Sequence, residues 1–233
     1  MSTDQSRRDF IKTSLYGTGA AVLGAAMISK GCDAERPQSS KYMGDFAAPQ
    51  LTKIRCGFIG VGARGSGHLY WTAGHKGAEV IAIVDPHQPA VEKCLEDLKE
   101  QNITGIKTYT NGDTDYLQML KNEKLDIVFI STPWKWHAKQ AIAAMENGTH
   151  ALVEVPLGVT VEELWQIVDT SEKTQRHCMM MENVNYMREE LMFLNMCRQN
   201  ILGELLHGEA AYIHELRGQM YQEDYGTGSW RTY

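Results

Sequence analysis

The residues Gly60-Val61-Gly62-Ala63-Arg64-Gly65 follow directly on the apolar run Ile54 to Ile59. Their spacing is G-x-G-x-x-G, which carries chemical meaning when it lies after a strand and before a helix. In that setting Gly60 permits a tight turn, Gly62 lets backbone approach a pyrophosphate, and Gly65 lets the helix pack closely on the strand. The helix start adds unpaired N–H groups and the positive end of a dipole. The next apolar run, Ala78 to Val84, ends at Asp85. It lies about twenty residues past the last glycine, where a carboxylate accepts hydrogen bonds from the adenosine ribose and repels a 2′-phosphate. Together these residues predict a dinucleotide site for NAD rather than NADP.

A second set of chemically capable residues follows the run Ile127 to Ile130, in "STPWKWH". Trp134 and Trp136 offer flat rings beside the polar groups of Lys135 and His137, which suits a flat and partly polar ligand. The alternative is that both tryptophans are core aromatics and His137 caps a helix. Glu154 reads either as a carboxylate that orients the nicotinamide ribose or as a buried group bonded to backbone. Tyr186, in "ENVNY", is a candidate acid or base, and equally a ring packed between domains. Arg231 suits an anchor for a polar ligand because a guanidinium presents several fixed donors.

Such residues need elements to hold them, and strand-like and helix-like runs alternate from residue 53 onward. Helices are predicted over Val91–Gln101, Asp113–Lys121, Ala138–Asn147 and Val161–Thr174, and strands over Ile106–Tyr109, Leu125–Ser131, Ala151–Glu154 and His177–Glu182. Strands separated by helices imply an α/β Rossmann-type fold, a doubly wound parallel sheet whose ligands lie beyond the carboxyl ends of the strands. From Arg188 the pattern changes. A helix to about Ile201, stopped by Gly203, precedes a longer alternating strand, Leu205 to Leu216. The expected organisation is a signal segment at 1–32, a linker at 33–52, the NAD-binding domain at 53–186 and, at 187–233, the start of an α+β substrate domain. A single strand cannot complete a sheet, so the chain reads as a piece of a longer protein.

The 233 residues are 43% hydrophobic and 22% charged, which suits globular structure rather than disorder. A formal net charge of -6 gives no basic stripe for a phosphate backbone and disfavours nucleic acid as a partner. Cys32, Cys56, Cys94, Cys178 and Cys197 make an odd count without close pairs, so neither a disulfide framework nor a metal site is predicted.

The leader differs in kind. Ser6-Arg7-Arg8-Asp9-Phe10-Ile11-Lys12 resembles a twin-arginine (Tat) export signal, and a weakly apolar stretch from Thr13 to Ser29 follows it. Gly17, Gly19 and Gly24 weaken a helix there, and the stretch is short for a bilayer, which argues against a transmembrane domain. Twin-arginine export of the folded protein to the periplasm is the expectation. Cys32 follows Gly31 as a lipid-bearing cysteine would, although Ser29 and Lys30 fit a lipoprotein signal badly.

The frame of Thr132-Pro133, His137, Gly148, His150 and Glu154-Val155-Pro156 resembles the cofactor domain of the glucose-fructose oxidoreductase and inositol dehydrogenase superfamily. Members of that superfamily usually carry a lysine between the glutamate and the proline, near the nicotinamide, where it manages the proton of the substrate hydroxyl. Valine cannot do so. With the twin-arginine leader, "WKWH", "EVP", "MMMENVNY" and "HGEAAYIHELR", the chain resembles glycoside hydrolase family 109, the NAD-dependent α-N-acetylgalactosaminidases.

The resemblance implies that Ala63, Arg64, Asp85, Trp134, Lys135, Trp136, His137, Glu154, Val155 and Asn183 contact NAD. It implies further that Tyr212 and Arg231 contact a sugar, the terminal α-N-acetylgalactosamine of a glycan. The implied chemistry oxidises the sugar at C3, removes the acidified C2 proton, expels the aglycone by elimination, adds water and reduces C3 again with retention. A homo-oligomer is compatible with this reading. A Tyr-Pro-Thr-His segment with a catalytic histidine is expected soon after Arg231 in that family.

Overall fold

The computed structural model describes residues 42–215 and 217–220. The leader, Cys32, residues 33–41 of the linker and Arg231 lie outside the described residues. Six parallel strands, β1 (Ile54–Ile59), β2 (Ala78–Val84), β3 (Lys107–Tyr109), β4 (Ile127–Ile130), β5 (His150–Val153) and β6 (Cys178–Met180), form one sheet in the order β3-β2-β1-β4-β5-β6. The intervening helices are α1 (Gly65–Ala73), α2 (Gln88–Glu100), α3 (Tyr116–Asn122), α4 (Trp134–Glu146) and α5 (Val161–Thr174). Helices α6 (Arg188–Arg198) and α7 (Arg217–Met220) follow the sheet.

The order of the strands decides where a ligand belongs. The chain starts in the middle with β1, winds outward to β3, then returns to place β4 on the other side of β1. The connections leaving the carboxyl ends of β1 and β4 therefore diverge, and the crevice between them is the ligand position of such sheets.

Alternating side chains bury both faces of the central strands. Phe58 and Ile83 face one way, onto Leu69 of α1 and Val91, Cys94 and Leu98 of α2. Ile59, Ala82, Val84, Val128 and Ile130 face the other, onto Met119 and Leu120 of α3 and Ala141 and Ala144 of α4. Phe58 and Phe129 stack across neighbouring strands, with centroids 4.7 Å apart. Helix α5 spans the predicted residues because its ends are written locally. Glu163 N donates to Thr160 Oγ1 and Thr160 N donates to Glu163 Oε2, a reciprocal cap.

Three expectations need correction. Helix α4 begins at Trp134, not Ala138, because Pro133 with φ −58° and ψ 143° already serves as its N-cap. Residues 134–137 thus form the first turn of a helix. The alternating segment predicted as a strand from Leu205 forms none over residues 205–215, and its residues are exposed throughout. Alternation marks a face that can be buried, but a strand also needs a neighbour for its backbone groups, and the described residues supply none there. Helix α6 likewise ends earlier than expected, at Arg198.

Candidate dinucleotide site

The carboxyl end of β1 opens into the glycine loop. Gly60 has φ +85°, and a Cβ on it would lie 2.8 Å from the carbonyl oxygen of Ser131 at the end of β4. A Cβ on Gly65 would lie 1.9 Å from the Gly60 carbonyl oxygen. Neither position accepts a side chain without moving backbone, so the sequence G-x-G-x-x-G is a packing requirement between loop, helix and β4.

Asp85 ties this loop to β2. Its Oδ2 accepts from Val61 N at 2.9 Å and its Oδ1 accepts from His87 N at 2.9 Å. The residue is 2% exposed. The carboxylate expected to serve a ribose thus also shapes the glycine loop.

Helix α1 has no side-chain N-cap and no acidic residue in its first turn. The positive end of its dipole is therefore left uncompensated by its own residues, which favours an anion there. Beside it, the buried Ser131 hydroxyl has no hydrogen-bond partner among the described residues.

Glu154, one residue past β5, reaches back to α1. Its Oε1 accepts from His68 Nε2 at 2.6 Å and lies 3.5 Å from Arg64 Nε, while Val155 N donates to Oε2 at 3.3 Å. Burial pushes this carboxyl up, but the hydrogen bond from His68 and the charge of Arg64 outweigh it and hold Glu154 below its ordinary value. The residue therefore stands ionised next to the glycine loop at neutral pH.

His137 in the first turn of α4 is 1% exposed. Its Nδ1 lies 2.6 Å from Pro156 O and its Nε2 2.7 Å from Thr132 O. The ring thus spans from the end of β4 to the turn after β5, across a cis Val155–Pro156 bond, and acts on the site through backbone. Gln140 assists, since its Oε1 accepts from Thr132 Oγ1 at 2.6 Å. Trp134 and Trp136 are half-buried and Lys135 is exposed, with Lys139 Nζ 5.5 Å from the centre of the Trp136 ring.

The structure accordingly gathers Gly60, Gly62, Ala63, Arg64, Gly65, Asp85, Trp134 to His137, Glu154 and Val155 at the carboxyl edge of the sheet. Asn183, Tyr186 and Tyr212 lie in exposed segments after β6, Tyr186 at 75% and Tyr212 at 87% exposure. The Tyr212 and His214 rings lie tilted to one another, with centroids 5.6 Å apart. His68 is the residue that sequence reasoning missed. The signal was present, since Arg64 and His68 are four apart and therefore share a helix face.

A dinucleotide fits these residues: two glycines admit no side chain, a helix start with no cap or acid of its own faces the loop, and a buried hydroxyl beside it has no partner among the described residues. The comparisons with known proteins agree. Residues 54–182 match the family model described as "Oxidoreductase family, NAD-binding Rossmann fold", and the chain belongs to that family. NAD is the cofactor of its domain. Residues 186–231 match "Glycosyl hydrolase 109, C-terminal domain". The chain thus joins an NAD-binding Rossmann domain to a segment similar to the start of that C-terminal domain.

A glycosyl hydrolase family 109 protein of Shewanella baltica is 50% identical over 229 residues, covering 97% of this chain and 50% of its own length. The chain spans about half the length of the curated relatives it matches. Among solved structures, an NAD-binding protein from Listeria innocua shares 30% identity at a TM-score of 0.53, covering 65% of this chain and 42% of that one. The WlbA dehydrogenase from Bordetella pertussis, in complex with NADH and UDP-GlcNAcA, has a TM-score of 0.56 at 21% identity, covering 65% and 43%. That second likeness concerns the fold alone.

Proposed function

We propose that this chain is the NAD-holding part of an exported glycosidase that releases terminal α-N-acetylgalactosamine with retention. The carrying observation is a complete dinucleotide cradle in which Val155 occupies the position of the superfamily's proton-managing lysine. Such a site keeps the means to oxidise a sugar and lacks the residue a net dehydrogenase uses at that position. When bound, NAD supplies a reversible hydride acceptor, which allows a glycosidic bond to be broken without the carboxylate pair of ordinary glycosidases.

The chain's own residues supply the rest. The glycine loop and the start of α1 hold the pyrophosphate, and Asp85 fixes that loop while serving the adenosine ribose. Glu154 orients the nicotinamide ribose, and Trp134 and Trp136 flank the cofactor from the first turn of α4. Tyr186 is the acid-base candidate, and Tyr212 and Arg231 bind the sugar. The twin-arginine segment at residues 6–12 supports export to the periplasm after folding, when cofactor is already captured.

The test uses the full-length protein and an aryl α-N-acetylgalactosaminide in heavy water. Aglycone release that requires NAD, leaves no accumulated NADH and places deuterium at C2 of the sugar is expected. Sustained NADH formation would instead assign a sugar or polyol dehydrogenase. Tight NAD binding without exchange into any amino sugar would assign a catalytically silent binding protein.

A further inference from the structure

We infer that His68 is a positioning residue of the dinucleotide site, which holds the Glu154 carboxylate in place and ties the first turn of α1 to the end of β5. The inference rests on the placement of Glu154 against the nicotinamide ribose proposed above.

The geometry starts from a poorly anchored helix. Helix α1 is nine residues long, carries Gly65 and Gly67, lacks a side-chain cap, and buries only Gly65 and Leu69. Glycine weakens a helix, so little in the helix itself fixes the direction of its N-terminus. Yet that terminus must be aimed at the pyrophosphate. The hydrogen bond from His68 Nε2 to Glu154 Oε1, at 2.6 Å, supplies a tie to a residue 86 positions away in the chain. It crosses β4, which lies between β1 and β5, and the His68 ring stacks over Phe129 of that strand with centroids 6.3 Å apart.

The same bond sets the state of the carboxylate. Glu154 is half-buried, and burial alone favours its neutral form. Three groups oppose this: His68 from α1, Arg64 from the glycine loop and the Val155 amide, with His68 the largest of the three. Both side-chain partners meet Oε1, so Oε2 retains acceptor capacity beyond the long contact from Val155 N. An ionised carboxylate with one oxygen pinned is suited to accept a ribose hydroxyl on the other. Without His68, burial is opposed only by Arg64 and the Val155 amide, and the carboxyl shifts toward its neutral form.

Binding of NAD to the 233-residue chain tests this by titration calorimetry. His68→Phe keeps the ring over Phe129 and removes the hydrogen bond, and His68→Gln restores a donor. For the wild type, affinity is expected to be flat between about pH 5 and about pH 8, since Glu154 is ionised throughout. His68→Phe is expected to bind about tenfold more weakly at neutral pH and to weaken further as pH falls, while His68→Gln recovers most of the loss. Glu154→Gln should be weak and independent of pH, alone or combined with His68→Phe. A His68→Phe variant whose affinity is lower but flat with pH would reduce His68 to packing and overturn the inference. A Glu154→Gln variant that binds NAD as the wild type does would instead remove Glu154 from the dinucleotide and overturn the placement on which the inference rests.

Discussion

Replacing Asp85 by asparagine separates two duties that the structure gives to one side chain. Its two oxygens accept from Val61 N and His87 N, each at 2.9 Å, and the residue is 2% exposed. Asparagine keeps one acceptor oxygen and turns an NH₂ toward the other amide, so one backbone N–H loses its partner and faces a donor. A hydrogen bond to a charged group contributes about 1.5–3 kcal/mol, and an orphaned buried donor costs about 1–3 kcal/mol, which overlap rather than add. The expected loss is about 3 kcal/mol, or about 6–12 °C in melting temperature for a domain of this size. Differential scanning calorimetry without NAD reads that term alone. Titration with NAD then reads the ribose contact together with the damaged loop. If Asp85→Asn melts within about 1 °C of the wild type while NAD binding collapses, the carboxylate serves the ligand only, and the proposed lock on the glycine loop is refuted.

Further outcomes follow from other contacts. Gly65→Ala should abolish measurable NAD binding and lower the melting temperature, because its Cβ would sit 1.9 Å from a backbone oxygen that cannot move independently of the loop. His150 Nδ1 accepts from His177 N at 2.8 Å, which requires an unprotonated nitrogen. Burial, then the charges of His177 and Arg176, push this imidazole below its ordinary value of 6.5, against a smaller opposing effect of Asp126. The unfolded chain therefore binds more protons than the folded one in acid. The stabilisation is complete above about 6.5 and is lost as pH falls through the depressed native value, so His150→Asn, which keeps an acceptor, should flatten chemical-denaturation stability as pH falls below about 6.5. Asp126→Asn should cost about 2 kcal/mol in denaturant titrations with NAD affinity unchanged. That carboxylate takes Arg55 Nε at 3.0 Å, Nη2 at 2.7 Å and the Arg55 amide at 2.8 Å at the amino end of the sheet, away from the ligand edge.

Much of the cofactor half was legible because its information is local. The strand, glycine loop, helix and acidic strand end of residues 54–85 are written within one βαβ unit, where short-range sterics decide each step. The capping box at Thr160 and Glu163 fixed the start of α5 for the same reason. What escaped was non-local. His68 acquires its meaning from Glu154, which no spacing rule connects to it. The start of α4 was misplaced because the tryptophans were weighed as ligand-lining rings, while Pro133 marked the cap of a helix that already contained them. Residues 205–215 alternate as a strand should, but alternation only nominates a face, and pairing depends on a neighbour.

These differences divide the site into halves with separable energetics. At the cofactor half, Gly60 and Gly65 bring the loop after β1 against Ser131 at the end of β4, His137 joins the ends of β4 and β5, and His68 joins β5 to α1. Three strand ends are thus cross-tied by contacts that exist before any ligand arrives, so little ordering remains for NAD to impose. Tyr186 and Tyr212, by contrast, stand exposed in the segments after β6. The affinity of this chain for NAD should consequently be insensitive to Tyr186→Phe and Tyr212→Phe, whereas turnover by the full-length protein should not.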